Sequence, residues 1–395
     1  MPGPLLALAK ELQHAARTML SASSAWHAAC MSHSIGQTTI EGRVGRHRRA
    51  LLAGSSVAAL VLGGLLPVRA QREKPGAAMA AATQLGWVRN GEFAPILVAE
   101  AKGFFAEEGV AHRIIDGGPG KNPIPIVAVG QAQFGIATSG LYLLSARTAR
   151  DPVDVVAVAA LYQETPSAYL RIADRGDPDP TPHDLEGKTV GVQAGSEFFV
   201  SALARKNGLG EGKIKIVTVQ ANAEPLLVGR VDYFGGWVIN QTFQIEQEAA
   251  KPDAPPNLRG KTWKALRYAQ WGFPAYSDVI FTTNTVIKQN PELVRRYVRA
   301  VSRGMQYILD HPAEAVQIVA GFPGEIEDVA KLTWRWRTQN PLFTSADTHA
   351  HGLLWMNPAT WDQMSQFMRD AGQIPSVVPA ADVMTDQFVP ASAGP

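Results

Sequence analysis

A chain of 395 residues is long enough for two domains beyond a targeting segment. Its 46% hydrophobic and 18% charged residues describe a globular protein with sizeable cores rather than a disordered one. A formal net charge of +2, with no basic block after the N-terminal region, leaves no electrostatic footprint for nucleic acid; the single cysteine, Cys30, excludes a disulfide framework or a thiolate metal site within one chain.

Residues 1–42 are rich in Ala, Ser and His and show no core pattern. Gly45-Arg46-His47-Arg48-Arg49 is strongly basic and precedes Ala50–Leu66, an apolar run with Gly and Ala scattered through it. Small residues follow at Val68-Arg69-Ala70 and Ala78-Met79-Ala80, two candidate cleavage points. A charged start, an apolar centre and a small-residue exit make a bacterial export signal. The arginine pair directly ahead of the run resembles a twin-arginine signal. The run is short and Gly/Ala-rich for a stable membrane span, which favours cleavage over an uncleaved anchor. No cysteine follows it, which excludes a lipoprotein anchor. A body nearly free of cysteine suits export. Met31 would begin a signal of more usual length, so residues 1–30 are candidates for a start-site artefact; a precursor N-terminus read as Met1 would reject that.

Leu85–Gly103 is the stretch around which the body is organised. A short apolar start carries Trp87 into a polar turn, Arg89-Asn90-Gly91-Glu92. Phe93-Ala94-Pro95 then opens a helix, with Pro95 at the first helical position and Gly103 where a left-handed stop belongs. A strand end, an exposed turn and a helix N-terminus form the kind of crevice in which an open α/β sheet binds ligands. Val110–Asp116 reads as a strand, broken by Gly117-Gly118-Pro119-Gly120, and Asn122-Pro123 as the start of a helix that Gly130 ends. Phe134–Ala137 is a strand, followed by Thr138-Ser139-Gly140 and a helix over Leu141–Thr148. Val153–Tyr162 is apolar enough for a strand buried on both faces. Strand–helix alternation predicts a mostly parallel sheet.

Asp174–Asp184, rich in Pro, Asp and Gly, marks a domain edge, after which the pattern restarts. Strands are expected at Thr189–Val192, Ile214–Val219 and Val231–Phe234. Helices are expected at Glu197–Asn207 after the Gly195-Ser196 turn, from about Glu224 to Gly229, and up to about Glu248 after Gly235-Gly236-Trp237. Leu266–Tyr268 is the candidate last strand of this unit, and Ser277–Thr283 is a further apolar, β-branched segment. Everything beyond reads as helix: Pro291–Leu309, with apolar residues at close to helical period, then Pro312–Ala320, Glu325–Gln339, Pro358–Ala371 and Ala380–Phe388. A long helical tail after a second α/β unit implies that the chain crosses between lobes twice.

Several chemistries are excluded. Gly187-Lys188-Thr189 ends like a phosphate loop, but Pro182 stands where the first glycine belongs. The Gly117–Gly120 loop does not match a dinucleotide fingerprint; it is either a plain turn or a source of backbone N–H donors above a helix. His349-x-His351 lacks a third ligand nearby, so no metal is expected. No Gly-x-Ser-x-Gly elbow or Cys/His nucleophile is present, and no catalytic residue is assigned. Trp87, Phe93, Tyr162, Trp237 and Tyr276 all fall at or near strand ends, with Asn90, Glu92, Glu197, Asn240 and Asp278 close by. Each alone is a cap, a turn residue or a solvated charge; their joint placement in both α/β units favours a site for a planar ligand. Trp334, Trp336, Trp355 and Trp361 read as core or lobe packing.

Trp87–Ala94, Ala101-Lys102-Gly103-Phe104-Phe105-Ala106-Glu107-Glu108-Gly109, Gly117–Gly120, Gly187–Val192, Tyr233–Gln241, Asp278–Thr283 and Asn290–Val294 resemble the SsuA/THI5-like (NMT1) family of ABC-transporter substrate-binding proteins. The resemblance covers about residues 83–390. It implies a type II periplasmic-binding fold: two α/β lobes joined by two crossovers, with a C-terminal helical segment. The domains expected are an extension at 1–42, an export signal and linker at 43–82, one lobe at 83–180 plus 278–395, and the other at 181–277. The implied function is periplasmic capture of a small pyrimidine-like or riboflavin-like ligand, or of a sulfonate or aromatic acid. Delivery would go to an ABC permease and its ATPase, the only implied membrane contact, by a monomer without a cofactor. The site residues expected are Trp87, Asn90, Glu92, Phe93, Gly118, Ser139, Tyr162, Ser196, Glu197, Trp237, Asn240, Tyr276 and Asp278. The family also contains a pyrimidine synthase that uses pyridoxal phosphate and consumes its own histidine. Phe93 stands where the pyrimidine branch often has a histidine, and the cysteine-rich motif is absent, so an enzyme is not expected.

Overall fold

The computed structural model describes residues 78–210 and 212–392. Cys30, the basic pair, the apolar run and Val68-Arg69-Ala70 lie outside the described residues. Two five-stranded sheets organise the rest. The first contains β1 (Met79–Gln84), β2 (Val110–Ile115), β3 (Phe134–Ser139), β4 (Val155–Tyr162) and β10 (Ser277–Thr283), in the order β2-β1-β3-β10-β4. The second contains β5 (Ser167–Ala173), β6 (Thr189–Val192), β7 (Lys215–Thr218), β8 (Tyr233–Trp237) and β9 (Thr262–Arg267), in the order β7-β6-β8-β5-β9. Each sheet is parallel except for one strand: β10 runs antiparallel to β3 and β4, and β5 runs antiparallel to β8 and β9. These are the strands by which the chain enters each sheet on crossing over. A strand arriving from the far lobe enters from the opposite end, whereas a strand–helix–strand unit within a lobe returns parallel.

The crossings run from Tyr162 to Ser167 and from Arg267 to Ser277. They are tied together by hydroxyls: Ser277 Oγ donates to Thr165 Oγ1 at 3.1 Å, and Thr165 Oγ1 donates to Ser167 Oγ at 3.0 Å. Two expected boundaries move. The stretch 167–173 belongs to the second sheet, because the Pro/Asp/Gly-rich segment after it is a loop inside that lobe rather than its edge. The linker ends before Met79, because β1 is a central strand paired with both β2 and β3. Cleavage at Ala78-Met79-Ala80 would cut into that strand.

β4 is buried at every position, as its unbroken apolar run requires. Helix Ala94–Ala101 starts with Pro95 in its first turn and is followed by Gly103 at φ 74. Helix Pro291–Asp310 lays Leu293, Val294, Tyr297, Val298, Val301, Met305 and Ile308 inward against it. Gly304 permits the close approach: a Cβ there would lie 2.1 Å from the Pro95 carbonyl oxygen. The helices after β10 return to the first lobe. The expected helix from Glu325 begins instead at Val329, where Asp328 accepts from the Lys331 amide at 2.8 Å, and the last helix stops at Val383. Among the described residues no helix is long and apolar enough to cross a membrane.

Candidate functional site

The turn after β1 delivers Asn90 in an extended conformation, with its Oδ1 accepting from the Glu92 amide at 2.9 Å. Gly91–Phe93 forms a 3-10 turn whose consecutive side chains point apart. Glu92 faces a polar cluster, whereas Phe93, fully buried with Leu85 and Ile96, belongs to the first lobe's apolar core. Helix Val329–Gln339 closes on this turn because Gly91 lacks a side chain. A Cβ there would lie 2.5 Å from Leu332 Cδ2 and 3.0 Å from Arg335 Cδ.

That helix presents a polar stripe at four-residue spacing, together with the residue preceding its cap: Glu327, Lys331, Arg335 and Gln339. Arg335, wholly buried, donates through Nε to Glu327 Oε2 at 2.7 Å and through Nη2 to Glu327 Oε1. Lys331 Nζ adds a 2.7 Å bridge to Glu327. Glu327 Oε2 also accepts from the Gly91 amide at 3.3 Å, and Gln339 Nε2 donates to the Gly91 carbonyl at 3.0 Å. Tyr162, at the end of β4, donates to Gln339 Oε1 at 2.9 Å. Its ring meets Trp237, from the end of β8 in the other lobe, edge-on at 6.3 Å between centroids.

Asp278 completes the cluster. It is the second residue of β10, has φ 46, and is 0% exposed. A non-glycine residue in this backbone region is uncommon and costs of order 1 kcal/mol. Neither carboxylate oxygen of Asp278 accepts a hydrogen bond among the described residues, and Arg335 Nη1 likewise donates none. Burial, and then the charge of Glu92, push the Asp278 carboxyl well above its ordinary range. Burial raises Glu92 to about 7, with Arg335 and the Asn90 amide opposing. Burial also works to raise Glu327, but the charge and hydrogen bonds of Arg335, with Lys331, outweigh it and hold that group below its ordinary value. The arrangement is one satisfied ion pair beside two carboxyls that resist ionising together.

Of the expected residues, Asn90, Glu92, Tyr162, Trp237 and Asp278 come together. Trp87 is half-buried on the turn beside them, and the Gly117-Gly118 loop folds back on it: Gly117 donates to the Trp87 carbonyl at 3.1 Å. Tyr276 does not join. Its hydroxyl accepts from the Asn357 amide at 2.7 Å and its ring packs near Trp361 in a separate apolar cluster. Ser139 Oγ accepts from the Leu141 amide, and Glu197, next to Ser196, accepts from Thr218. Asn240 precedes helix Gln241–Ala250 without a capping bond from its side chain. None of these four hydrogen-bonds to the carboxyl cluster. Sequence reasoning missed Glu327, Lys331, Arg335 and Gln339; their spacing along one helix was the available signal.

The profile of the NMT1/THI5-like family matches residues 90–315. The chain is 27% identical over 315 residues to the riboflavin-binding protein RibY of Chloroflexus aurantiacus, covering 78% of this chain and 85% of that protein. It is 23% identical to a 4-amino-5-hydroxymethyl-2-methylpyrimidine phosphate synthase of Legionella pneumophila, covering 78% of this chain and 91% of that protein. Among solved structures, the periplasmic aliphatic sulphonate binding protein SsuA of Escherichia coli superposes with a TM-score of 0.56 at 14% identity, covering 77% of this chain and 96% of that one. The two-lobe architecture is thus that of substrate-binding proteins.

Proposed function

The chain belongs to the NMT1/THI5-like family, and from that premise we propose that it is a solute-binding protein that captures a small heterocyclic ligand, pyrimidine-like or riboflavin-like, where its two lobes meet. Asn90, Glu92, Tyr162, Asp278 and Arg335 form the wall from the first lobe, Trp237 the cover from the second, and Trp87 with Gly118 the rim. The observation that carries this reading is Asp278: buried, held at φ 46, with a carboxyl that accepts no hydrogen bond among the described residues, at the strand where the chain re-enters the first lobe. Strain and unpaired polarity of this kind cluster at ligand sites. The riboflavin-binding relative supports the ligand class. The two buried carboxyls disfavour a sulfonate or other anion, whose charge would add to the repulsion that already opposes their ionisation. The groups assembled offer stacking and edge recognition, which favours capture over the chemistry of the synthase relatives.

The basic Arg48-Arg49 pair and the apolar run after it support export to the periplasm through a twin-arginine signal. From there the loaded protein would hand its ligand to an ABC permease. Differential affinity for the closed arrangement drives closure. Intrinsic tryptophan fluorescence, titrated with flavins, aminopyrimidines, aromatic carboxylates and alkanesulfonates, tests the reading. Saturable quenching by a neutral heterocycle is expected. Saturation by an alkanesulfonate alone, or steady turnover of any of these compounds, would overturn it.

A further inference from the structure

We propose that the Asp278 carboxyl reads the ligand by a cyclic two-bond pair with a donor-beside-acceptor edge of a ring, either HN–C=O or N–C–NH2, and that Arg335 Nη1 donates to a further acceptor next to that edge. The proposal deepens the capture reading above and rests on it. It follows from which polar atoms of the cluster remain unspent. Asn90 Oδ1 is taken by the Glu92 amide, and the Tyr162 proton goes to Gln339. Arg335 Nε and Nη2 are committed to Glu327. Asp278 Oδ1, Asp278 Oδ2 and Arg335 Nη1 are buried and have no partner among the described residues.

A buried carboxyl is tolerable in two ways: neutral, or met by donors. The groups around Asp278 decide between them. Glu92 from the turn raises its ionisation cost, Arg335 from the helix lowers it, and Tyr162 lies close enough on β4 for its own ionisation to be opposed by Asp278. Glu327 is engaged with both Arg335 and Lys331. Burial is the largest influence and favours the neutral form of Asp278. A neutral carboxyl offers one O–H donor beside one C=O acceptor. A lactam or an aminopyrimidine edge offers the complement. The O–H of Asp278 goes to the ring carbonyl or ring nitrogen, and its C=O accepts the ring N–H or the amino group. No proton is taken from or lost to solvent in the pairing.

The test uses the full chain, with riboflavin, N3-methylriboflavin, 4-aminopyrimidine and 4-dimethylaminopyrimidine as probes. It compares wild type, Asp278→Asn and Asp278→Gly by calorimetric titration, with a thermal melt of each variant to confirm folding. Gly and Asn both tolerate the positive φ. Methylation of either probe should weaken binding at least about thirtyfold, and Asp278→Gly should do the same for the unmethylated probe. Asp278→Asn, whose amide keeps one donor and one acceptor, should stay within about fivefold. Affinity of the wild type should fall more steeply with rising pH than that of Asp278→Asn, which lacks the ionisable carboxyl. Equal binding of methylated and unmethylated probes, or unchanged binding in Asp278→Gly, overturns the edge assignment while leaving capture intact. Absence of binding by every probe overturns both.

Discussion

Glu92→Gln should stabilise the protein at alkaline pH while costing it ligand. Glu92 is 3% exposed, and burial raises its carboxyl from 4.5 to about 7. The unfolded chain ionises this group near 4.5, the folded chain near 7. Between those values the unfolded state has already given up its proton and the folded state has not. Stability therefore falls as pH rises through that window, by up to about 3 kcal/mol from this one group. Glu325, also raised to about 7 by burial, and Asp278, raised well above its ordinary range, add losses of the same sign. Glu327 is depressed, so the stability it contributes is present above its unfolded value and is lost only as pH falls below that. Glu92→Gln removes only the Glu92 contribution. Thermal melts at pH 5 and pH 8 isolate it. The wild type should lose more between the two than the variant, by roughly 4–5 °C in Tm for a body of about 300 residues. The same variant should bind ligand more weakly, the usual exchange of function for stability at a strained site. Parallel pH dependences in the two proteins would refute the burial argument for Glu92.

Other consequences follow from the same contacts. Arg335→Met takes from the buried Glu327 its two-bond partner, leaving it Lys331 and the Gly91 amide, and should cost up to about 3 kcal/mol in denaturant unfolding, with most of it recovered in the double variant Arg335→Met/Glu327→Gln. Trp237→Ala removes the aromatic cover against Tyr162 and should raise the ligand Kd roughly tenfold, read by titration. Away from the site, Glu246 accepts the indole N–H of Trp263 within the second lobe and that of Trp334 from the first, both at 2.9 Å. Trp334→Phe cuts that clasp between lobes, so small-angle scattering of the ligand-free protein should show a larger radius of gyration, with Kd up to about tenfold weaker although Trp334 is placed outside the site.

The strand–helix alternation, the helix start at Pro95 and the double crossing were legible because they rest on local rules: apolar runs, proline at a first turn, glycine at a stop. The antiparallel entry strands were not, because strand direction is set by where the chain comes from rather than by residues such as Ser167–Ala173 themselves. Asn90 and Glu92 were legible as a polar turn. Phe93 was misread because in a 3-10 turn the neighbour of a site residue points elsewhere, and Tyr276 because its hydroxyl is spent on a backbone amide from the C-terminal helices. The Glu327–Arg335 pair was hidden in a helix whose tryptophans suggested packing alone. Only when that helix docks on Gly91 does its polar stripe face Glu92. Asp278 was visible as a strand-end carboxylate, but its positive φ and unspent oxygens exist only in three dimensions.

Native mass spectrometry of the full chain with riboflavin and with 4-aminopyrimidine tests capture most directly. A single ligand per chain is expected, released on denaturation with its mass unchanged. A ligand returned chemically altered, a chain whose own mass changes during the incubation, or no complex with either compound would contradict it.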